Sequence, residues 1–189
     1  MGLVRLSMPK RFQSRLTDPE LSGDPVAELS AGDQAAAARN IMLRRLTAAP
    51  RTRSELAVTL RERGICDDVA AVALDRFVEV GLIDDAAFAN QFVTSRGIGH
   101  GRGTLKAELR RRGVGDEVIE LALAQLSPES ERDAALALAR RRARTTSALA
   151  PAVRERRLFG QLIRRGYASS LAMSVVREVL GEIDSPEVS

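Results

Sequence analysis

Tryptophan is absent from this 189-residue chain, and five Phe and one Tyr bring the aromatic share to only 3%. β-Sandwiches and barrels draw heavily on aromatic and β-branched residues, so the scarcity argues against both. Cysteine and histidine occur once each, as Cys66 and His100. A lone cysteine closes no internal disulfide, which fits a reducing, cytoplasmic setting. One His and one Cys are also too few for a zinc site of the usual His/Cys type. His100 is the only base available to a Ser–His–Asp triad, and no GxSxG elbow accompanies it. GxxxxGK[ST] is missing, so a P-loop nucleotide site is not expected. No apolar run reaches the roughly 18 residues of a membrane-spanning helix. The opening MGLVRLSMPKRF lacks the apolar stretch of about 7–15 residues that marks a secretory signal. Leu6 stands where a myristoylation motif needs Ser or Thr. No catalytic residue, cofactor, metal or membrane association is expected. A binding protein is the better default.

What the chain does have is helix-forming material. It carries 28 Ala, and Ala, Arg and Leu dominate a composition that is 44% hydrophobic and 29% charged. All three are good helix formers, so an all-α fold follows. The net charge of +4 is unevenly spread. Residues 1–99 balance 13 basic against 13 acidic side chains, while residues 100–170 carry 15 against 8. The end, 171–189, sets one Arg against four acids. Of the 29 basic residues only Lys10 and Lys106 are lysines. Arginine offers a planar fork that grips phosphate or carboxylate in a bidentate manner and stacks on bases. Nine arginines crowd residues 140–165 against the single acid Glu155. Such a cluster attracts a polyanion over about a Debye length, roughly 8–10 Å.

Residues 1–33 hold Pro9, Pro19, Pro25, Gly23 and Gly32 without sustained periodicity, and are expected to form a flexible arm. Helical spacing begins near Gln34 and ends before Pro50. Thr52 and Glu55 form a T-x-x-E capping box that should start a second helix, with Gly64 as its terminator. A third helix is expected from Asp67 or Asp68, with Val69, Val72, Ala73, Phe77 and Val80 as its apolar face and Gly81 as its end. Asp84 should cap a fourth helix containing Phe88 and Phe92.

Internal repetition is the strongest structural signal. The chain aligns on Gly64, Gly113 and Gly166, which lie 49 and 53 residues apart. Eight residues before each glycine stand Leu56, Leu105 and Leu158; four before stand Leu60, Leu109 and Leu162. Arg63, Arg112 and Arg165 come immediately before, and Ile65, Val114 and Tyr167 immediately after. Val69, Val118 and Leu171 follow at the fifth place, and Leu74, Leu123 and Val176 at the tenth. Each unit is helix, glycine-terminated turn, helix, with one further helix ahead of it. Three tandem three-helix repeats result, over 34–81, 84–126 and 128–183, leaving a tail at 184–189. Between the first two lies a loop with Gly97, Gly99, Gly101 and Gly103 around His100 and Arg102. Its successive amides suit a phosphate cradle, but a hinge opening the next helix is the simpler expectation.

The run Leu82–Ile83–Asp84–Asp85, then Phe88, Ala89, Phe92, Arg96, Gly101, Leu105, Glu108–Leu109 and Arg112–Gly113–Val114, resembles the RecX family. Arg157, Leu158 and Leu162 followed by Arg165–Gly166–Tyr167 look like that family's C-terminal repeat. The resemblance spans roughly 34–183 and leaves the arm outside. It departs at Leu82, where relatives often place an aromatic residue. The resemblance implies an elongated, curved array of helix-turn-helix-like repeats, acting as a non-catalytic regulator of the RecA recombinase. Such proteins bind the groove of the RecA–single-stranded DNA filament, slow its extension and reduce ATPase and strand exchange. Duplex DNA, without sequence preference, is an alternative expectation beside the single strand. A monomer about 70 Å long is expected from helices spanning roughly 18–24 Å each.

The candidate contacts are Arg96, Arg102, Lys106, Arg110 and Arg111 in the middle of the chain, then Arg140, Arg141, Arg142 and Arg144, and Arg154, Arg156, Arg157 and Arg164. Asp84 and Asp85 are expected to serve a helix start, and Phe88, Phe92 and Tyr167 to pack. The competing function is a helix-turn-helix transcriptional regulator, since three-helix modules with glycine turns also describe that class. Such repressors normally dimerise on a palindrome, and no dimerisation helix is evident here.

Overall fold

The computed structural model describes residues 30–184, and every regular element among them is an α-helix. The first triplet is α1 (Ala31–Ala48), α2 (Arg53–Glu62) and α3 (Asp67–Glu79). The second is α4 (Asp85–Arg96), α5 (Arg102–Arg111) and α6 (Asp116–Ala124). The third is α7 (Pro128–Arg144), α8 (Pro151–Arg164) and α9 (Ser169–Asp184). The arm expected over 1–33 lies outside the described residues up to residue 29. Residues 31–33 belong to α1 instead, because the Ser30 side chain accepts from the Asp33 amide and starts the helix there. The last five residues of the chain also lie outside the described part.

Local chemistry sets the helix boundaries. At Thr52 both halves of the capping box form, with the Thr52 hydroxyl accepting from the Glu55 amide and the Glu55 carboxylate from the Thr52 amide. Asp84 accepts from the Ala87 amide at 2.8 Å, and Ser127 from the Ser130 amide at 3.0 Å. Pro128 and Pro151 occupy first-turn positions, where the missing N–H is not needed. The middle helix of each triplet closes with the same turn. The Ile65, Val114 and Tyr167 amides donate to the carbonyls of Leu60, Leu109 and Leu162, at 3.1, 3.2 and 3.2 Å. Gly64, Gly113 and Gly166 supply the positive φ, at 76°, 76° and 82°.

Each triplet encloses its own core. Leu56, Leu60, Ile65, Leu74 and Phe77 anchor the first; Leu105, Leu109, Val114, Ile119 and Leu123 the second; Leu158, Leu162, Tyr167, Val175 and Val176 the third. Four of the aligned positions are thus buried in every copy. The fifth place after the glycine sits half-buried at the rim in all three, as Val69, Val118 and Leu171. All the principal helix–helix contacts fall within a triplet, as in a repeat array. One expectation fails inside the first core. Val72 is 72% exposed and Val80 48%, while Ala70, Leu74 and Phe77 take the inner face of α3. Burying Leu and Phe outweighs burying two valines, so the helix is turned toward the larger side chains. Val72 lines a shallow apolar groove between α1 and α3, with Ala31, Ala35 and Ala73.

Polar joints link the triplets. The Thr52 hydroxyl donates to the Arg112 carbonyl at 2.6 Å, and the Arg112 guanidinium reaches Glu55 at 2.8 Å. The Arg53 amide donates to Asp85 at 2.9 Å. At the next junction the Gly101 amide donates to the Arg165 carbonyl at 2.7 Å, and the Gly103 amide to the Gly166 carbonyl at 3.0 Å. In both joints the Arg–Gly turn of one repeat seats on the N-terminus of the preceding repeat's middle helix. The middle helices therefore follow one another head to tail, and the partial charges at their facing ends are complementary.

Candidate nucleoprotein interface

The glycine loop between the first two repeats is spoken for. Its Gly97 amide donates to the Val93 carbonyl and its Gly99 amide to Gly97, while Gly101 and Gly103 bond the turn of the third repeat. These amides are not available to cradle a phosphate. A Cβ on Gly101 would lie 2.4 Å from the Gly166 carbonyl oxygen, so the glycine permits a close backbone approach. His100 belongs to the same joint. Its Nδ1 lies 3.2 Å from the Arg96 carbonyl and its Nε2 3.3 Å from the Arg165 guanidinium.

The central cations are largely committed to intramolecular partners. Arg102, at the start of α5, clamps Glu131 through both its amide and its Nε at 3.0 Å, and reaches the Leu126 carbonyl. It braces the second repeat against α7. Arg96 stands 5.4 Å from the centroid of the Phe92 ring and 3.8 Å from Glu108. Lys106 pairs with Glu120, and Arg110 with Asp116 at 2.6 Å. The hydrogen bond from Arg110 holds the Asp116 carboxyl below its ordinary range and raises Arg110 itself. Arg111 alone of this group is exposed without an ion pair among the described residues.

The third repeat presents a different picture. Arg140, on α7, holds Glu182 of α9 at 2.5 Å, and that hydrogen bond lowers the Glu182 carboxyl and raises Arg140. Arg154 turns inward, donating to the Ser147 carbonyl at 2.9 Å. Arg141, Arg144, Arg156, Arg157 and Arg164 are exposed and have no ion pair among the described residues. Arg142 is exposed too; its carbonyl accepts from Thr145 and Thr146, while its guanidinium makes no ion pair there. The end of α7 and the start of α8 are joined by six residues, which brings Arg141–Arg144 and Arg154–Arg157 to one corner. Such a corner carries a concentrated positive field and unoccupied bidentate donors.

The aromatic residues pack. Phe92 is 8% exposed and Tyr167 3%, and Phe88 stacks on Phe92 with centroids 6.2 Å apart. Arg112 stands over both phenyl rings at 5.6 and 5.5 Å. Asp84 caps α4, whereas Asp85 accepts across the first joint from Arg53. Sequence reasoning missed the joint-forming roles of Thr52, Glu55, Asp85 and Glu131. Only Thr52 and Glu55 gather at one of the arginines repeated before each glycine, Arg112, whereas Asp85 and Glu131 meet Arg53 and Arg102, which no repeat pattern marks.

Models of three families match this chain in order. They are described as the first, second and third three-helix domains of RecX, and they cover residues 38–77, 84–123 and 129–176. Regulatory protein RecX of Thermobifida fusca is 47% identical over 170 residues, covering 87% of this chain and 92% of that protein. Regulatory protein RecX of Mycolicibacterium smegmatis is 46% identical over 171 residues, covering 84% and 90%. The crystal structure of RecX from Lactobacillus salivarius superposes with a TM-score of 0.72 at 21% identity, over 78% of this chain and 97% of that one. A second crystal structure, of regulatory protein RecX, gives 0.71 at 28% identity, over 78% and 73%. With its repeats matched in order and relatives this similar along most of their length, the chain belongs to the RecX family of regulatory proteins.

Proposed function

We propose that this protein is a cytoplasmic, non-catalytic modulator of the RecA recombinase. It binds the groove of the RecA–single-stranded DNA filament and suppresses filament extension, ATPase and strand exchange, so regulating DNA repair and recombination. Family membership supports the regulatory part. The α7–α8 corner supports the nucleoprotein part, because it leaves Arg141, Arg142, Arg144, Arg156 and Arg157 without an acidic partner among the described residues. Arg102, Arg110, Lys106 and Arg140 contribute less, since each would have to give up an internal carboxylate first.

The test is to change Arg141, Arg142, Arg144, Arg156, Arg157 and Arg164 to Gln together. Gln preserves helix propensity, so the repeats should still fold. On bare single strands, each phosphate that is no longer neutralised should flatten the slope of log K against log salt by about 0.7, so three of them lower it by roughly 2. Inhibition of RecA ATPase should weaken in parallel. An unchanged slope together with unchanged inhibition would show these arginines to be a solvated face. Sequence-specific footprints on duplex DNA would favour a transcriptional regulator instead.

A further inference from the structure

Among the described residues, two of the three Arg–Gly turns are covered by another repeat, and the first is not. Arg112–Gly113 seats on Thr52-Arg53-Ser54-Glu55, and Arg165–Gly166 on Gly101-Arg102-Gly103-Thr104. Arg63–Gly64 has the same backbone geometry, but both residues are exposed and Arg63 has no ion pair among the described residues. Its occupant should resemble what covers Arg112: a hydroxyl to donate to the arginine carbonyl and a carboxylate three residues on to hold the guanidinium. The T-x-x-E sequence of Thr52–Glu55 occurs again at Thr59–Glu62, which lies within α2 itself, and at Thr17-Asp18-Pro19-Glu20, outside the described residues.

We infer that the Arg63–Gly64 turn is a docking surface for the chain's own segment Thr17–Glu20, which completes the column of joints at its open end. The position of the chain favours this occupant. Ser30 lies one helical turn before Gln34, whose side chain accepts from the Cys66 amide at 3.0 Å. The described chain therefore begins beside the turn. The residues between Glu20 and Ser30 can bridge up to about 30 Å. Asp18 and Glu20 complement Arg63 in charge, and a proline is accepted in the first turn of a helix. A second copy's α8 fits poorly. Arg154, which aligns with Thr52 and Gly101, lies inside α8 with its amide bonded to the Ala150 carbonyl, amid a cluster of arginines.

The full-length chain tests this with a nitroxide on Cys66, which is exposed and two residues past Gly64. Amide signals of Thr17, Asp18 and Glu20 should lose most of their intensity, more than those of Gly23, Asp24, Val26 and Ala27, which are nearer in sequence to the described chain's start beside the label. Arg63→Glu should restore them, and Arg63→Glu with Glu20→Arg should broaden them again. Circular dichroism should report unchanged helix content in both variants. Broadening that simply rises toward Ser30, or that ignores Arg63→Glu, overturns the assignment. Broadening seen only when spin label and isotope sit on different copies overturns it as well, in favour of an exchange between chains. None of these readouts involves RecA or DNA, so the result stands apart from the proposed function.

Discussion

Tyr167 shows how a single side chain separates packing from contact. It is the third repeat's counterpart of Ile65 and Val114, and like them it is buried. Its hydroxyl is buried without a hydrogen-bond partner among the described residues, and an unsatisfied buried group costs about 1–3 kcal/mol relative to a satisfied one. Tyr167→Phe should therefore leave stability unchanged or raise it slightly, whereas Tyr167→Ala should cost about 3–5 kcal/mol by opening a cavity. Burial also pushes the phenol above its ordinary value of 10.0. A group whose folded value is raised stabilises the fold fully below its unfolded value and loses that contribution as pH climbs through the folded one. The parent should lose stability above about pH 10, a loss that Tyr167→Phe removes. Urea titrations at neutral and alkaline pH decide the matter; a parent and variant that lose stability in step above pH 10 would rule it out.

Among the elements, the glycine turns carry the most information. The repeated Leu, Arg and Gly pattern is legible because the same local problem is solved three times: two leucines to bury, then a left-handed residue to stop the helix. The apolar face of α3 is not, because Val72 and Val80 satisfy helical spacing as well as Ala70 and Leu74 do, and only the neighbouring helices break the tie. Joint-forming residues are illegible for a related reason, since Thr52 and Glu55 look like nothing more than a cap until the next repeat arrives. That difference between turn and joint is measurable. Gly81→Ala, at φ 71° with open space where its Cβ would stand, should cost about 1–2 kcal/mol, the strain of a left-handed alanine. Gly113→Ala carries the same strain and also places a Cβ 2.2 Å from the Ser54 side chain. It should cost clearly more in denaturant unfolding than Gly81→Ala, and equal costs would mean that the first joint yields freely.

Across the whole molecule, three cores joined by polar seams imply that stability is regional. A change at one joint should be felt in the two repeats it joins and scarcely in the third. Arg112 is the decisive residue, holding Glu55 across the first joint and lying over Phe88 and Phe92 of its own repeat. The pair is partly exposed, so water screens it, and Arg112→Ala should cost about 1–2 kcal/mol through removal of the charged hydrogen bond and the ring stacking. Amide exchange should then quicken at Leu60 and Leu109, which belong to the joined repeats, while Leu162 in the third repeat keeps its protection. Small-angle scattering should report a wider spread of shapes at the same time, because the first joint no longer fixes the angle between its repeats. If the RecA inhibition proposed above depends on a fixed angle between the repeats, Arg112→Ala should weaken it although the α7–α8 arginines are untouched. Equal acceleration of exchange at Leu162 would mean that the array unfolds as one cooperative body, with the seams as strong as the cores.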